Sequence, residues 1–100
     1  MVFNTIFMVH KGSQKLSAEA EVYAVELRAI FAKNLKRGRL EFDLTRQDLA
    51  RKAEVGKKVI WGIERGATYP SLLTLAKLSC AIGTDLPTLL KGKTASGDAG

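Results

Sequence analysis

The sequence predicts an all-α domain of five helices, and three observations predict it. Apolar residues recur at helical spacing, as in Ala20, Tyr23, Leu27, Ile30, Phe31 and Leu35. Residues with capping chemistry, namely Ser17, Thr45, Ser71 and Asp85, stand at the heads of successive apolar stretches. Glycines 38, 66 and 83 stand at the ends of others. One hundred residues make one domain. So short a chain buries a modest core, so its helices must pack tidily or lean on a partner subunit.

The first helix is expected to start at Ser17, with Glu19 and Glu21 where the helix dipole favours acids. Lys33, Lys36, Arg37 and Arg39 gather at its far end, and Gly38 and Asp43 bracket its exit. Thr45 caps a second, short helix, with Asp48 at the capping-box position and a narrow inner stripe of Leu49, Ala50 and Ala53. After the turn at residues 54–56 comes a third helix over residues 57–64, with Ile60 and Ile63 inside and Gly66 as its left-handed stop. Ser71 caps a fourth helix whose buried side is read as Leu72, Leu75, Leu78 and Ile82. Residues 86–90 form the last helix, with Pro87 in its first turn.

Residues 1–16 read as an N-terminal extension. Its apolar start, Val2 to Val9, suits a short strand that needs a partner. Residues 17–92 read as the domain and 93–100 as a flexible tail of small and polar residues.

A formal net charge of +6 and a pI near 9.7 suit a polyanionic partner. One cysteine, Cys80, makes no internal disulfide, and with one histidine, His10, there is no cluster of metal-ligand spacing. No cofactor or metal is expected, and Cys80 reads as a small filler near the core stripe of the fourth helix. No apolar run reaches the ~20 residues that span a bilayer. The basic residues Lys11 and Lys15 follow the apolar start rather than precede it, unlike a secretory signal. A cytoplasmic protein without membrane association is expected. No nucleophile–base pair, carboxylate pair or phosphate loop is present in the sequence, so no enzyme activity is expected.

Two short helices joined by a very short turn, the second basic and exposed, define a helix-turn-helix. The steep crossing needs a small residue, Ala50, and the turn needs an apolar plug, Val55. Ile60 and Ile63 set the angle of the second helix, and its other side carries Lys57, Lys58, Trp61 and Gly62. A major groove about 12 Å wide admits such a helix.

At Leu44-Thr45-Arg46-Gln47-Asp48-Leu49-Ala50, at residues 55–60 and at Gly62-Ile63-Glu64-Arg65-Gly66, the chain resembles the Cro/CI-like, or xenobiotic response element, family. The likeness continues through Pro70-Ser71-Leu72, Thr74-Leu75-Ala76-Lys77-Leu78, Ala81-Ile82-Gly83 and residues 86–90. It implies a compact five-helix, lambda-repressor-like domain that binds duplex DNA, commonly as a homodimer on a palindromic operator. It assigns base contacts to Lys57, Lys58, Trp61 and Gly62. Backbone contacts fall to Thr45, Arg46, Gln47, Gly56, Thr68 and Tyr69, and a structural ion pair to Arg39 and Glu64. Four positions depart from the family: Arg46 stands where a phosphate-contacting Gln is usual, and Gly62 offers no side chain for base reading. Gly56 replaces a Ser/Thr cap, and Glu54 stands where glycine commonly permits positive φ, at a cost of about 1 kcal/mol.

Alternatives stay open at several residues. Lys57 and Lys58 are either solvated or held for DNA, donating to guanine O6 and N7 or to phosphate. Trp61 either faces DNA or folds back over Arg65 or the Tyr69 loop. Arg46, Arg51 and Lys52 either grip phosphate or form a wet helix face. The reading that unites these features is a sequence-specific transcriptional regulator, a repressor or autoregulator acting as a homodimer. The alternative is a protein-interaction adaptor or antitoxin that turns the same frame toward a protein partner. The dimer surface is either the last helix, through Leu86, Leu89 and Leu90, or residues 1–9 with the start of the first helix.

Overall fold

A computed structural model describes residues 13–94 and 97–98. The helices are α1 (Ser13–Glu41), α2 (Arg46–Ala53), α3 (Lys57–Glu64), α4 (Leu72–Ile82) and α5 (Leu86–Leu89). A two-residue ladder of β1 (Lys93–Thr94) and β2 (Gly97–Asp98) follows. The expected strand within residues 1–9, and the dimer surface assigned to it, lie outside the described residues.

Helix α1 is longer than the sequence suggests at both ends. Ser17 is an exposed interior residue rather than the cap. Upstream, Gln14, Lys15 and Leu16 are good helix formers, and each added residue gains a backbone hydrogen bond, so the helix runs on through them. At the other end Gly38 stays helical and gives α4 room to pack, since an added Cβ would lie 3.1 Å from Ile82 Cγ2. The exit comes at Asp43, whose φ is 60°. There the Leu44 N–H donates to the Arg39 carbonyl at 3.0 Å.

One core joins all five helices. Phe31 and Leu35 come from α1, Leu49, Ala50 and Ala53 from α2, and Ile60 and Ile63 from α3. Leu78, Ala81 and Ile82 come from α4, and Leu89 from α5. Each fully buried aliphatic contributes about 1.5–3 kcal/mol. Ala50 and Ala53 are the small residues that let α2 lie close to α3, and half-buried Val55 plugs the turn between them.

Helix α4 corrects two expectations. Its inner face is Leu75, Leu78, Ser79 and Ile82, one stripe at helical spacing, with buried Ala81 beside it. Leu72 sits in the first turn, 73% exposed, with Leu73 beside it at 65%. Nothing among the described residues covers either. Cys80 lies two residues past Leu78, about 200° round the helix, and is exposed. Ser79 takes the inner place instead, donating its hydroxyl to the Leu75 carbonyl at 2.8 Å.

In α5 the three leucines turn inward. Leu89 is buried, and Leu86 and Leu90 pack against the core. They are therefore not the free dimer surface the sequence offered. The segment after α5 runs back along α1. Asn34 donates to the carbonyls of Leu89 (2.9 Å) and Lys91 (3.2 Å). Gly92 lies so close to Ile30 that an added Cβ would stand 3.0 Å from it. Those contacts hold the chain beside α1, where Lys93–Thr94 pairs antiparallel with Gly97–Asp98.

Candidate nucleic-acid interface

The interface is built from the α2–turn–α3 unit. Thr45 caps α2 in extended conformation, its hydroxyl accepting from the Asp48 N–H at 3.0 Å. The Asp48 carboxylate returns the bond, accepting from the Thr45 N–H at 3.0 Å. These bonds, the backbone one foremost, hold the Asp48 carboxyl below the ordinary carboxylate range, and Arg51 at 3.6 Å adds to the effect.

At the far end of α2 the chain reverses through Glu54, at φ 58° and ψ 46°. This is the left-handed conformation that glycine adopts without strain, and here a glutamate adopts it. Its N–H caps the Ala50 and Arg51 carbonyls, and the Val55 N–H also reaches the Ala50 carbonyl at 2.9 Å. Helix α3 then begins at Gly56 with no side-chain cap. The Val59 N–H turns back to the Gly56 carbonyl at 3.0 Å, no side chain caps the N–H groups ahead of it, and Lys57 and Lys58 add two exposed cations where the dipole is positive.

The other end of α3 is tied down by one carboxylate. Glu64, its side chain 2% exposed, accepts from Arg39 Nε at 2.6 Å on Oε2. Its Oε1 accepts from Arg39 Nη2 at 3.1 Å and from Arg46 Nε at 3.0 Å. Arg39 also donates Nη1 to the Leu44 carbonyl at 2.7 Å. Glu64 thus joins α1, α2 and α3 at one point, and Ile60 and Ile63 fix the rotation of α3 above the core.

One open cleft lies across the two helices. It is lined by Thr45, Arg46, Gln47, Gly56, Lys57, Lys58 and Trp61, with no acidic residue among them. Three residues expected at the interface stand elsewhere. Gly62 is buried, and an added Cβ would fall 2.5 Å from Thr68 Oγ1, so it serves the close approach of the following loop rather than a groove-facing side. Thr68 closes over it. Tyr69 is exposed, with the Arg28 guanidinium 4.3 Å from its ring centroid. Arg46 does two things at once, since its Nε is engaged by Glu64 while its side chain stays 40% exposed.

Trp61 meets both halves of the sequence alternative. It is 48% exposed and lines the cleft, yet the Arg65 guanidinium stacks 3.9 Å from its ring centroid. The site residues assigned from the sequence do not include Arg65. Its signal was the spacing of four from Trp61 on one helix, which sets the two side chains one above the other.

Among the described residues no group of three or more His, Cys, Asp or Glu could hold a metal ion. No helix among them is long and apolar enough to cross a membrane.

A family model described as Helix-turn-helix, HTH_3, matches residues 35–89. The chain is similar to the hypothetical transcription factor NHTF from Neisseria, at 26% identity and TM-score 0.62, over 64% of this chain and 74% of that one. It is also similar to the restriction-modification controller protein C.AhdI from Aeromonas hydrophila, at 26% identity and TM-score 0.60, over 62% of this chain and 94% of that one. A third likeness is to the clp gene regulator ClgR from Corynebacterium glutamicum, at 26% identity and TM-score 0.61, over 64% and 68% of the two chains. Comparison with curated proteins finds no match.

Proposed function

We propose that this chain, which belongs to the helix-turn-helix family HTH_3, is a sequence-specific transcriptional regulator of the repressor or autoregulator kind. Membership makes it a DNA-binding domain of a non-enzymatic family, similar to transcription regulators. The finer reading rests on one observation. The exposed side of α3 and the head of α2 form a single cleft that carries Arg46, Lys57 and Lys58 and no acid. In this reading α3 lies in the major groove of duplex DNA. Lys57, Lys58 and Trp61 meet base edges, while Thr45, Arg46, Gln47 and the bare Gly56 N–H meet phosphates. Thr68 and Tyr69, in the loop after α3 and outside the cleft, are kept in this reading as further phosphate contacts. Gly62 is not carried forward, being buried.

The regulator acts in the cytoplasm as a homodimer on a palindromic operator, its two copies of α3 about one helical turn, ~34 Å, apart. Leu72 and Leu73 offer the apolar surface for the second copy. The test is a binding titration on the DNA upstream of its own coding sequence across a range of salt. Affinity is expected to fall linearly on logarithmic axes with salt. Lys57→Ala with Lys58→Ala should weaken binding by about 100-fold, at 1–3 kcal/mol for each good contact. Unchanged affinity in that double variant overturns the placement of α3.

The exposed leucine pair also favours a second reading, in which the frame holds a protein partner, as an adaptor or antitoxin does. Salt-insensitive capture of one protein, with no DNA shift, is its signature.

A further inference from the structure

The arginines nearest the cleft differ in what holds them. Arg39 and Arg46 are bound to Glu64, and Arg51 lies beside Asp48. Arg65 has no carboxylate partner among the described residues. Its guanidinium lies against the Trp61 ring, 3.9 Å from the centroid. A cation over an indole face is attracted by the ring quadrupole, but its N–H groups stay open around the rim. Arg65 is also the C-cap residue of α3, at φ −81°.

We infer that Arg65 is a phosphate-contacting residue, held for DNA by its stack on Trp61. The inference rests on the DNA reading above and adds a residue to it. Three features place the guanidinium on a phosphate rather than on a base. It stands eight residues beyond Lys57, about 12 Å along the helix axis, while the N-terminal residues of such a helix are the ones that reach base edges. Its side chain folds back toward the N-terminus over Trp61, the direction helical side chains take, and this shortens its reach to the groove floor. A flat guanidinium with a free edge suits two phosphate oxygens. Trp61 is therefore both a wall of the cleft and the positioning residue for a cation at its outer end.

The experiment uses the full chain and two duplexes, the DNA upstream of its own coding sequence and a random sequence of equal length. Arg65→Ala should weaken binding to both by about five- to tenfold near 0.1 M salt, and reduce the salt slope by about 1. Arg65→Lys should keep the slope. Trp61→Ala should keep the slope too, because the charge survives, while losing affinity that Trp61→Phe restores. The pair Trp61→Ala and Arg65→Ala should be non-additive. Because Trp61 is the single tryptophan, its emission in the free protein should change in Arg65→Ala and so report the stack directly.

An unchanged slope in Arg65→Ala, with binding still lost in Lys57→Ala plus Lys58→Ala, overturns this inference and leaves the DNA reading standing. Loss on the upstream DNA alone overturns the phosphate assignment in favour of base reading. A wild-type protein with no salt-dependent DNA binding overturns both.

Discussion

Helices α2 and α3 are each eight residues long and share one core, yet their N-termini are finished in opposite ways. At α2, Thr45 and Asp48 satisfy each other's backbone in a closed box. At α3, Gly56 supplies no side chain, and two lysines follow where the dipole is already positive. The first helix is complete in itself. The second draws its stability from its other end, through Ile60, Ile63 and Glu64, and leaves its head open. An open, positive head suits an anion that the protein does not itself supply.

Removing the anchor of α3 should give the largest effect. Glu64→Ala strands Arg39 in the interior and is expected to cost about 3–5 kcal/mol in urea unfolding. Disrupting the box of α2 is milder: Thr45→Ala should cost about 1 kcal/mol by the same measurement. The turn between the helices offers a gain. Glu54→Gly, at φ 58°, should stabilise by about 1 kcal/mol, read as a higher urea midpoint.

Giving α3 a cap makes the two heads alike. Gly56→Ser should stabilise by a few tenths of a kcal/mol, because an added Cβ meets only Val59 Cγ2 at 3.7 Å. The smallest effect is in pH. The Asp48 carboxyl is lowered in the folded state, so its contribution is complete above the ordinary carboxylate pKa and is lost as pH falls through the lowered value. Thermal unfolding on an acid series should show this step flattened in Asp48→Asn.

Local chemistry made much of this legible. The Thr45–Asp48 box, the Ser71 cap, the Ala50 crossing and the glycine stops each depend on residues a few positions apart. Ser71 does accept from the Thr74 N–H at 3.1 Å, and Gly66 and Gly83 have φ of 71° and 79°. Long-range geometry was less legible. Whether Leu72 is covered depends on what other elements pass over the first turn of α4, and its helical spacing from Leu75 carries no such information. Gly62 looks like a groove-facing gap until Thr68 is seen to close on it. Ser17 has the chemistry of a cap but only the neighbours of a helix interior. At the cleft the sequence supplied the cations, whereas the sharing of Glu64 between Arg39 and Arg46 required three helices to meet. The stack of Arg65 on Trp61 was visible as a spacing, but its unpaired charge was not.

The single carboxylate at the junction of three helices separates two kinds of position on α3. Residues 60, 63 and 64 carry the attachment, while 57, 58 and 61 take no part in it. On the proposed DNA reading, replacing the second group alters what is recognised while the platform beneath stays put. Such a part is exchangeable on that reading: new targets come from swapping three surface side chains, with little demand for compensation elsewhere in the chain.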